Sequence, residues 1–404
     1  MYIAQYFSRV KRLSPDMQLF LWTDGIYGFS IGIIGVLFNL HLLALGFRSG
    51  AIAFITSINP LATTVLSVLM GGLADRFGRK RMLVIGSTLL AFGAVLQPLF
   101  SSFLLICIAS LIFSIGQAMV GATEFAVVAA YVSDKERDFA ISVIFANFMM
   151  MIGIGSLVGG WLPLWLPRIG TPYESTLLLG GIIFCITPLA RRKLSEVSIP
   201  QETHMVRKGF LRPSRPVLLF SVFAFLSGLS YGFAMPYLNL ILAGQFGLTT
   251  TTIGFVIAIN EFALFLGSFL SPMVLDRFSP QQILGPLLLG AFILNIGIVF
   301  HLPLLFFVFL LMFRSMINMT YAPTIDSLAL GVVMDAQRAI MQSYRGLTRG
   351  IGSILSVWIG GELLAFKQYG WEFAATGIVL LCMFIFYEIA LKSVVVRSGE
   401  SIVE

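Results

Sequence analysis

The sequence predicts an all-α integral membrane protein with twelve transmembrane helices in two six-helix, pseudo-symmetric bundles. Three observations carry that prediction. The 404 residues are 58% hydrophobic and only 11% charged, against about 25% charged in soluble domains, so a soluble core would lack an aqueous surface. Apolar stretches of the roughly 20 residues that a spanning helix needs recur along the whole chain. The second half also repeats the first at a constant offset of 201 residues.

Breaks in apolarity place the spans at 17–46, 50–73, 81–100, 102–132, 138–165, 172–190, 214–245, 250–274, 280–300, 302–333, 337–366 and 370–394. The first follows Arg9, Lys11 and Arg12. It is too long for a signal-peptide core and lacks a small-residue cleavage site, so it reads as a retained helix. Several spans exceed what a bilayer requires, which implies tilt or protrusion. Pro60, Pro236 and Pro323 predict kinks that neighbouring helices compensate. The 39 glycines suit close helix packing in lipid.

With the N-terminus inside, the cytoplasmic segments collect 20 Lys and Arg, and the opposite side holds three, Arg48, Arg168 and Lys367. That bias orients both termini to the cytoplasm. The long polar connection around 191–213 divides the chain into an N-terminal bundle, 1–190, and a C-terminal bundle, 214–404. At the 201-residue offset, Asp75-Arg76-Phe77 becomes Asp276-Arg277-Phe278, Asp134 and Arg137 become Asp335 and Arg338, and Gly159-Gly160 becomes Gly360-Gly361. Charged coincidences at one ungapped offset mark parallel repeats.

The net charge of +7 does not indicate nucleic acid, because the basic residues lie in connections between spans, not on one face or stripe. Cys107, Cys185 and Cys382 are far apart within apolar runs, and the three histidines are scattered, so neither disulfide nor metal spacing exists. No nucleophile–base pattern and no phosphate-binding Gly-x-x-x-x-Gly-Lys-Ser/Thr loop occurs. The sequence reads as neither an enzyme nor an ATP-driven pump, with no cofactor.

Gly71-Gly72-Leu73-Ala74-Asp75-Arg76-Phe77-Gly78-Arg79-Lys80-Arg81-Met82 reads as a basic turn between spans 2 and 3. Its Gly-x-Leu-Ala-Asp-Arg-x-Gly-Arg-Lys pattern, with twelve spans in parallel repeats, resembles the major facilitator superfamily, and within it the drug/proton antiporter-like branch. Two branch patterns are only partly met. Gly155-Ser156-Leu157-Val158-Gly159-Gly160 carries serine where that branch has proline, and span 4, around Ser114, Gly116 and Gln117, lacks its arginine. The resemblance implies a gate built from Gly71, Asp75, Arg76, Gly78, Arg79, Lys80 and Glu124, with Arg79 reaching Glu124 and Asp75 near the start of span 11. Asp276 and Arg277 are the partial second copy, where Ser279-Pro280 replaces Gly78-Arg79. It also implies that spans 1, 4, 7 and 10 line a central cavity, and that the protein works as a monomer.

A charge inside a span costs about 2.5–3.5 kcal/mol on insertion scales and marks function by default. Asp24 and Glu261 are the expected proton-coupling acids, with a Glu261–Arg314 ion pair as the structural alternative. Asp326 is expected near Arg345 or Arg349. Tyr27, Gln117, Tyr231, Asn239, Arg314, Asn318 and Asp326 are candidates for the substrate cavity, together with Tyr237 and Tyr321. The expectation is a secondary transporter in the cytoplasmic membrane, exporting a small amphipathic solute in exchange for protons, with solute, proton and membrane lipid as its partners. Uptake of a sugar, organic acid or other metabolite is the alternative, and a lipid flippase on the same fold a further one.

Overall fold

Alternating long apolar runs and short polar joints fold into helices throughout the described residues, which are 10, 12–133, 136–196, 213–275, 277–300 and 302–395 of a computed structural model. Among them, twelve helices are long and apolar enough to cross a membrane. They are α1 (Pro15–Ala44), α2 (Ser49–Phe77), α3 (Arg79–Leu99), α4 (Phe103–Tyr131), α5 (Arg137–Trp161), α6 (Glu174–Arg191), α7 (Arg215–Phe246), α8 (Thr250–Leu275), α9 (Pro280–Val299), α10 (Leu304–Gly331), α11 (Asp335–Leu363) and α12 (Trp371–Val395).

Local sequence explains the starts and breaks. The Ser14 hydroxyl accepts the Met17 amide and Pro15 occupies the first turn of α1, where a missing N–H costs nothing. Ser279 and Gln282 form a reciprocal capping box at the start of α9. Of the three expected kinks, the one at Pro236 is a true break: α7 stops at Gly232 and resumes through a 3-10 turn over Met235–Tyr237. Pro60 and Pro323 lie inside continuous helices. α6 breaks at Cys185, and α12 carries a π-turn at Tyr387–Leu391.

The expected Gly71–Met82 turn is mostly helix. α2 continues through Asp75 and Arg76 to Phe77, and α3 begins at Arg79. One residue, Gly78 at φ +93°, makes the corner, a conformation that penalises any residue with a Cβ. Gly71 therefore does not turn the chain: it sits within α2 with open space where its side chain would be. The run of charge raised the turn expectation, but Leu73-Ala74-Asp75-Arg76 favours helix once Gly78 supplies the corner.

The chain forms two compact units. The first comprises 1–47, 62–202 and 249–261; the second comprises 48–61, 203–248 and 262–404. The expected division at 191–213 is thus crossed twice, by the start of α2 and the start of α8. In the first unit α1 packs on α5, and α3 on α4. In the second, α7 packs on α11, and α9 on α10 and α12. Carried across the 201-residue offset, the α1–α5 and α3–α4 pairs become α7–α11 and α9–α10, so the internal repeat holds in three dimensions within each unit.

Close approach explains the pairs. A Cβ on Gly155 of α5 would fall on the Phe29 carbonyl of α1, and one on Gly228 of α7 on the Arg349 carbonyl of α11. Small residues at such crossings let backbones touch where lipid gives no hydrophobic incentive. Ser156, in the departing position of the span-5 pattern, turns its hydroxyl toward the Gly32 carbonyl of α1 at 3.5 Å. In the first unit the start of α8 approaches α5 through Gly254 and Gly160, with Thr251 donating to the Gly160 carbonyl at 3.4 Å. In the second, the start of α2 approaches α11 where Ala53 meets Gly361.

Candidate functional site

Asp24 is the most conspicuous charge of the first unit. It lies on α1, 1% exposed, and shares side-chain hydrogen bonds with Glu124 of α4 and Asn147 of α5. Asn147 is held in turn by donating to the Leu21 carbonyl at 2.9 Å. Arg191, the last residue of α6, is fully buried and faces both acids. Its Nη1 donates to Ser87 Oγ of α3 at 2.9 Å and its Nε to Thr23 Oγ1 of α1 at 3.3 Å. The guanidinium also lies 5.0 Å from the Phe20 ring centre and 6.0 Å from that of Tyr27. Phe and Tyr faces attract such a cation. Tyr27 is buried and stacks on Phe184 at 5.1 Å.

Five helices therefore converge on two carboxyls and one guanidinium. One acid balances Arg191. A carboxylate can only accept, so a hydrogen bond between two carboxyl groups contains a proton. The cluster is electrically neutral when Asp24 and Glu124 hold one proton between them. Two polar atoms stay unused, Asp24 Oδ2 and Arg191 Nη2, and buried polar atoms without partners are rare and costly.

This arrangement corrects the expected pairing of Glu124 with Arg79. Arg79 instead bonds Asp75, one helical turn away, with Nη2 to Oδ1 at 2.9 Å and Nε to Oδ1 at 3.2 Å. The Gly78 corner points both side chains the same way. Of the other motif residues, Arg76 is exposed beside the Phe77 ring, and Lys80 lies 3.9 Å from Glu196. Arg277 is exposed, while Asp276 and Asp134 lie outside the described residues.

Sequence reading missed Arg191, which it placed in the polar connection. A signal was present. Phe184, Thr187, Pro188 and Arg191 recur at three- and four-residue steps, and all are buried on one face.

The second unit holds its own charges. Arg314 of α10 is 7% exposed. Its Nε donates to Asn295 Oδ1 of α9 at 3.0 Å, and its Nη1 lies 3.2 Å from Met235 Sδ of α7. Both partners are neutral. Asp326 of α10 takes two cations from α11: Arg345 Nη2 bonds its Oδ1, and Arg349 Nη2 reaches the same oxygen at 3.2 Å. Tyr321 lies beside both Arg314 and Arg349, with its hydroxyl on the side chains of Ser227 and Ser230. Asn239 is buried with Oδ1 accepting the Leu240 amide, Tyr231 is exposed, and Asn318 is half-buried. In the first unit, half-buried Gln117 sits two turns before Glu124 on α4, and Glu261 lies beside Asn260 and Gly153. Among the described residues no group of His, Cys, Asp and Glu could hold a metal ion.

Comparison with known proteins fits this architecture. The profile described as Major Facilitator Superfamily matches residues 23–225 and again 218–401. The chain belongs to the major facilitator superfamily. Its curated relatives include the gallate transporter of Pseudomonas putida, 26% identical over 183 residues, which are 44% of this chain and 38% of the relative. The multidrug resistance protein MdtH of Aeromonas hydrophila subsp. hydrophila is 28% identical over 145 residues, 36% of this chain and 35% of that one. The aligned parts thus span well under half of those relatives. Similar solved structures include a bacterial homologue of the iron transporter ferroportin in an inward-facing state, with TM-score 0.77, 14% identity and coverage of 92% and 97% of the two chains. The nucleoside transporter NupG superposes with TM-score 0.70 at 16% identity, covering 93% and 99%. Membership of the superfamily makes this chain a multi-pass membrane protein of a family of transporters.

Proposed function

We propose that this transporter couples movement of a small organic solute to the proton gradient, with Asp24 and Glu124 as the proton-carrying pair. The observation behind this reading is the buried cluster of two acids and one guanidinium. Gaining or losing the shared proton changes its net charge by one in a site with little water, where charge is costly. Such a change shifts the balance between conformations that bury the cluster and conformations that open it. Arg191 fixes the geometry of both acids. The expected gate residues Asp75 and Arg79 form a pair at the α2–α3 corner and serve the rocking of the bundles.

Export of an amphipathic compound across the cytoplasmic membrane, with both termini inside, remains the first reading. It is supported by the MdtH relatives and by the excess of basic residues in the connections assigned to the cytoplasm. A second reading, transport of an organic acid, is favoured by the relative named a gallate transporter. We take the protein to act as a monomer.

Proteoliposomes with an imposed pH gradient test the coupling, using ethidium and gallate as solutes. Wild-type protein is expected to move one of them faster with the gradient than without it. Asp24→Asn and Glu124→Gln should each abolish that acceleration while leaving solute exchange at equal pH. Gradient-driven flux surviving both substitutions overturns the assignment.

A further inference from the structure

Glu372, the second residue of α12, is fully buried. Neither oxygen of its carboxyl completes a hydrogen bond among the described residues, although its own backbone amide lies near. The other acids whose side chains are described in the second unit differ from it. Asp326 takes Arg345 and Arg349, Glu388 takes Lys392 at 2.6 Å, and Glu362 is exposed. The helices packed on α12 are α9, α7 and α11. α9 has no titratable residue, and α7 has Arg215 at its opposite end with Tyr231 and Tyr237 further along. α11 carries Asp335, Arg338, Tyr344, Arg345 and Arg349 in its first half and Glu362 at its end, and Lys367 beyond it is exposed. On α10, Arg314 lies two turns past Phe307 and donates to Asn295. Tyr369, just before α12, faces the carboxyl and has its hydroxyl against Gly244 of α7. His301, between α9 and α10, lies outside the described residues.

The wall around Glu372 is apolar. The Phe373 ring stands edge-on to Phe307 of α10 at 5.6 Å, and Phe307 edge-on to Phe246 of α7 at 5.0 Å. Gly370 lies against the Val299 carbonyl of α9. An ionised carboxylate here loses its hydration and gains no counter-charge. The first turn of a helix favours an acid, but that field offsets only a fraction of the loss. A bound proton removes the charge without the several oxygen ligands that a metal ion demands. Nor does the fold require an acid at this place. At the 201-residue offset the first unit has Thr171, whose hydroxyl meets His41 Nδ1 at 2.7 Å.

We propose that Glu372 is a proton-binding site at the end of the second unit where α7 and α9 finish and α10 and α12 begin, and that its proton keeps the first turn of α12 shut. This site goes beyond the Asp24–Glu124 pair, which belongs to the first unit. Trp371, the preceding residue, is exposed, so a small opening brings the carboxyl to water. There it ionises as an ordinary glutamate does, and rising pH favours the opening.

Amide hydrogen exchange of the purified full-length protein tests this, read on peptides covering 371–377 and corrected for the intrinsic effect of pH. An opening that releases one proton becomes about ten-fold more populated per pH unit above the ordinary ionisation of glutamate. Between about pH 5 and about pH 7, wild type and Glu372→Asp are each expected to lose at least about ten-fold in protection. Glu372→Gln should give a flat profile. Should Glu372→Gln fail to fold, Glu372→Thr, which copies the neutral side chain of the repeat-related position, takes its place. A flat wild-type profile overturns the proposal. So does a slope that survives in the neutral variant, and His301→Gln then shows whether that histidine carries it. Protection that rises with sodium at fixed pH in wild type but not in Glu372→Gln would mark a cation site and overturns it as well. The measurement needs neither solute nor gradient. A flat profile beside gradient-driven flux that requires Asp24 and Glu124 therefore refutes the Glu372 site alone, and a steep profile beside flux that survives loss of both acids refutes their coupling role alone.

Discussion

Replacing Arg191 with glutamine removes the cation that faces Asp24 and Glu124 and leaves two carboxyls in contact. The hydroxyls it held are not orphaned, because Ser87 still donates to the Leu83 carbonyl and Thr23 to that of Phe20. The cost is therefore chiefly electrostatic. Breaking one side of a buried charged network costs about 3–5 kcal/mol, and the surviving hydroxyl bonds favour the lower end, about 3 kcal/mol. In a unit of roughly 200 residues, where about 1 kcal/mol shifts the melting temperature by about 2–4 °C, the expected loss is about 6–12 °C. The double variant Arg191→Gln/Glu124→Gln removes one acid with the cation and should recover about half of that, a coupling well above the roughly 0.5 kcal/mol of independent sites. Thermal unfolding of the detergent-solubilised wild type, Arg191→Gln, Glu124→Gln and the double variant measures the coupling. A melting temperature within about 1 °C of wild type for Arg191→Gln, or strictly additive losses in the double variant, would refute the charge-balance argument.

Asp326→Asn strips the shared carboxylate from Arg345 and Arg349 and should cost about 3 kcal/mol, read as a lowered melting temperature that Asp326→Asn/Arg345→Gln partly restores. Asp75→Asn breaks only a half-exposed pair one turn apart, worth about 0.5 kcal/mol; a large drop in flux at unchanged melting temperature would identify a gating role, and unchanged flux would exclude it. Gly228→Val must push α7 from α11, because its side chain would occupy the Arg349 carbonyl, and should lower stability by about 2 kcal/mol or more. Gly71→Ala, with open space around it, should leave stability unchanged or raise it by up to about 1 kcal/mol.

The twelve helices and their repeat were legible because bilayer thickness sets a length scale that apolar runs reveal. Asp326 beside Arg345 and Arg349 was legible for a similar reason: rare charges at one depth on consecutive helices have few places to go. The Asp24–Glu124–Arg191 convergence was not. α1 and α4 are apolar on nearly every face, so their sequences do not say which side turns inward, and the partner of Glu124 could not be chosen from depth alone. Arg191 was hidden by a boundary rule. A hydropathy window ends at the first charge, whereas the helix runs through Arg191 and keeps its buried face. The unit boundaries were equally opaque, since the starts of α2 and α8 pack by shape against helices distant in sequence.

The last turn of α6 bears on how this chain can be dissected. A fragment ending at residue 190, where hydropathy would place the cut, discards Arg191 and leaves Asp24 and Glu124 without their counter-charge. The following residues also belong to the first bundle. Leu194 is buried, the Ser195 amide donates to Asp16 at 2.9 Å, and the Tyr131 hydroxyl donates to the Ser195 carbonyl at 2.9 Å. A split transporter, a half-protein expressed alone or a tag inserted between the halves should therefore leave the chain intact to Glu196. Six residues beyond the hydropathy boundary separate an electrically complete half from one that carries an unpaired acid in its core.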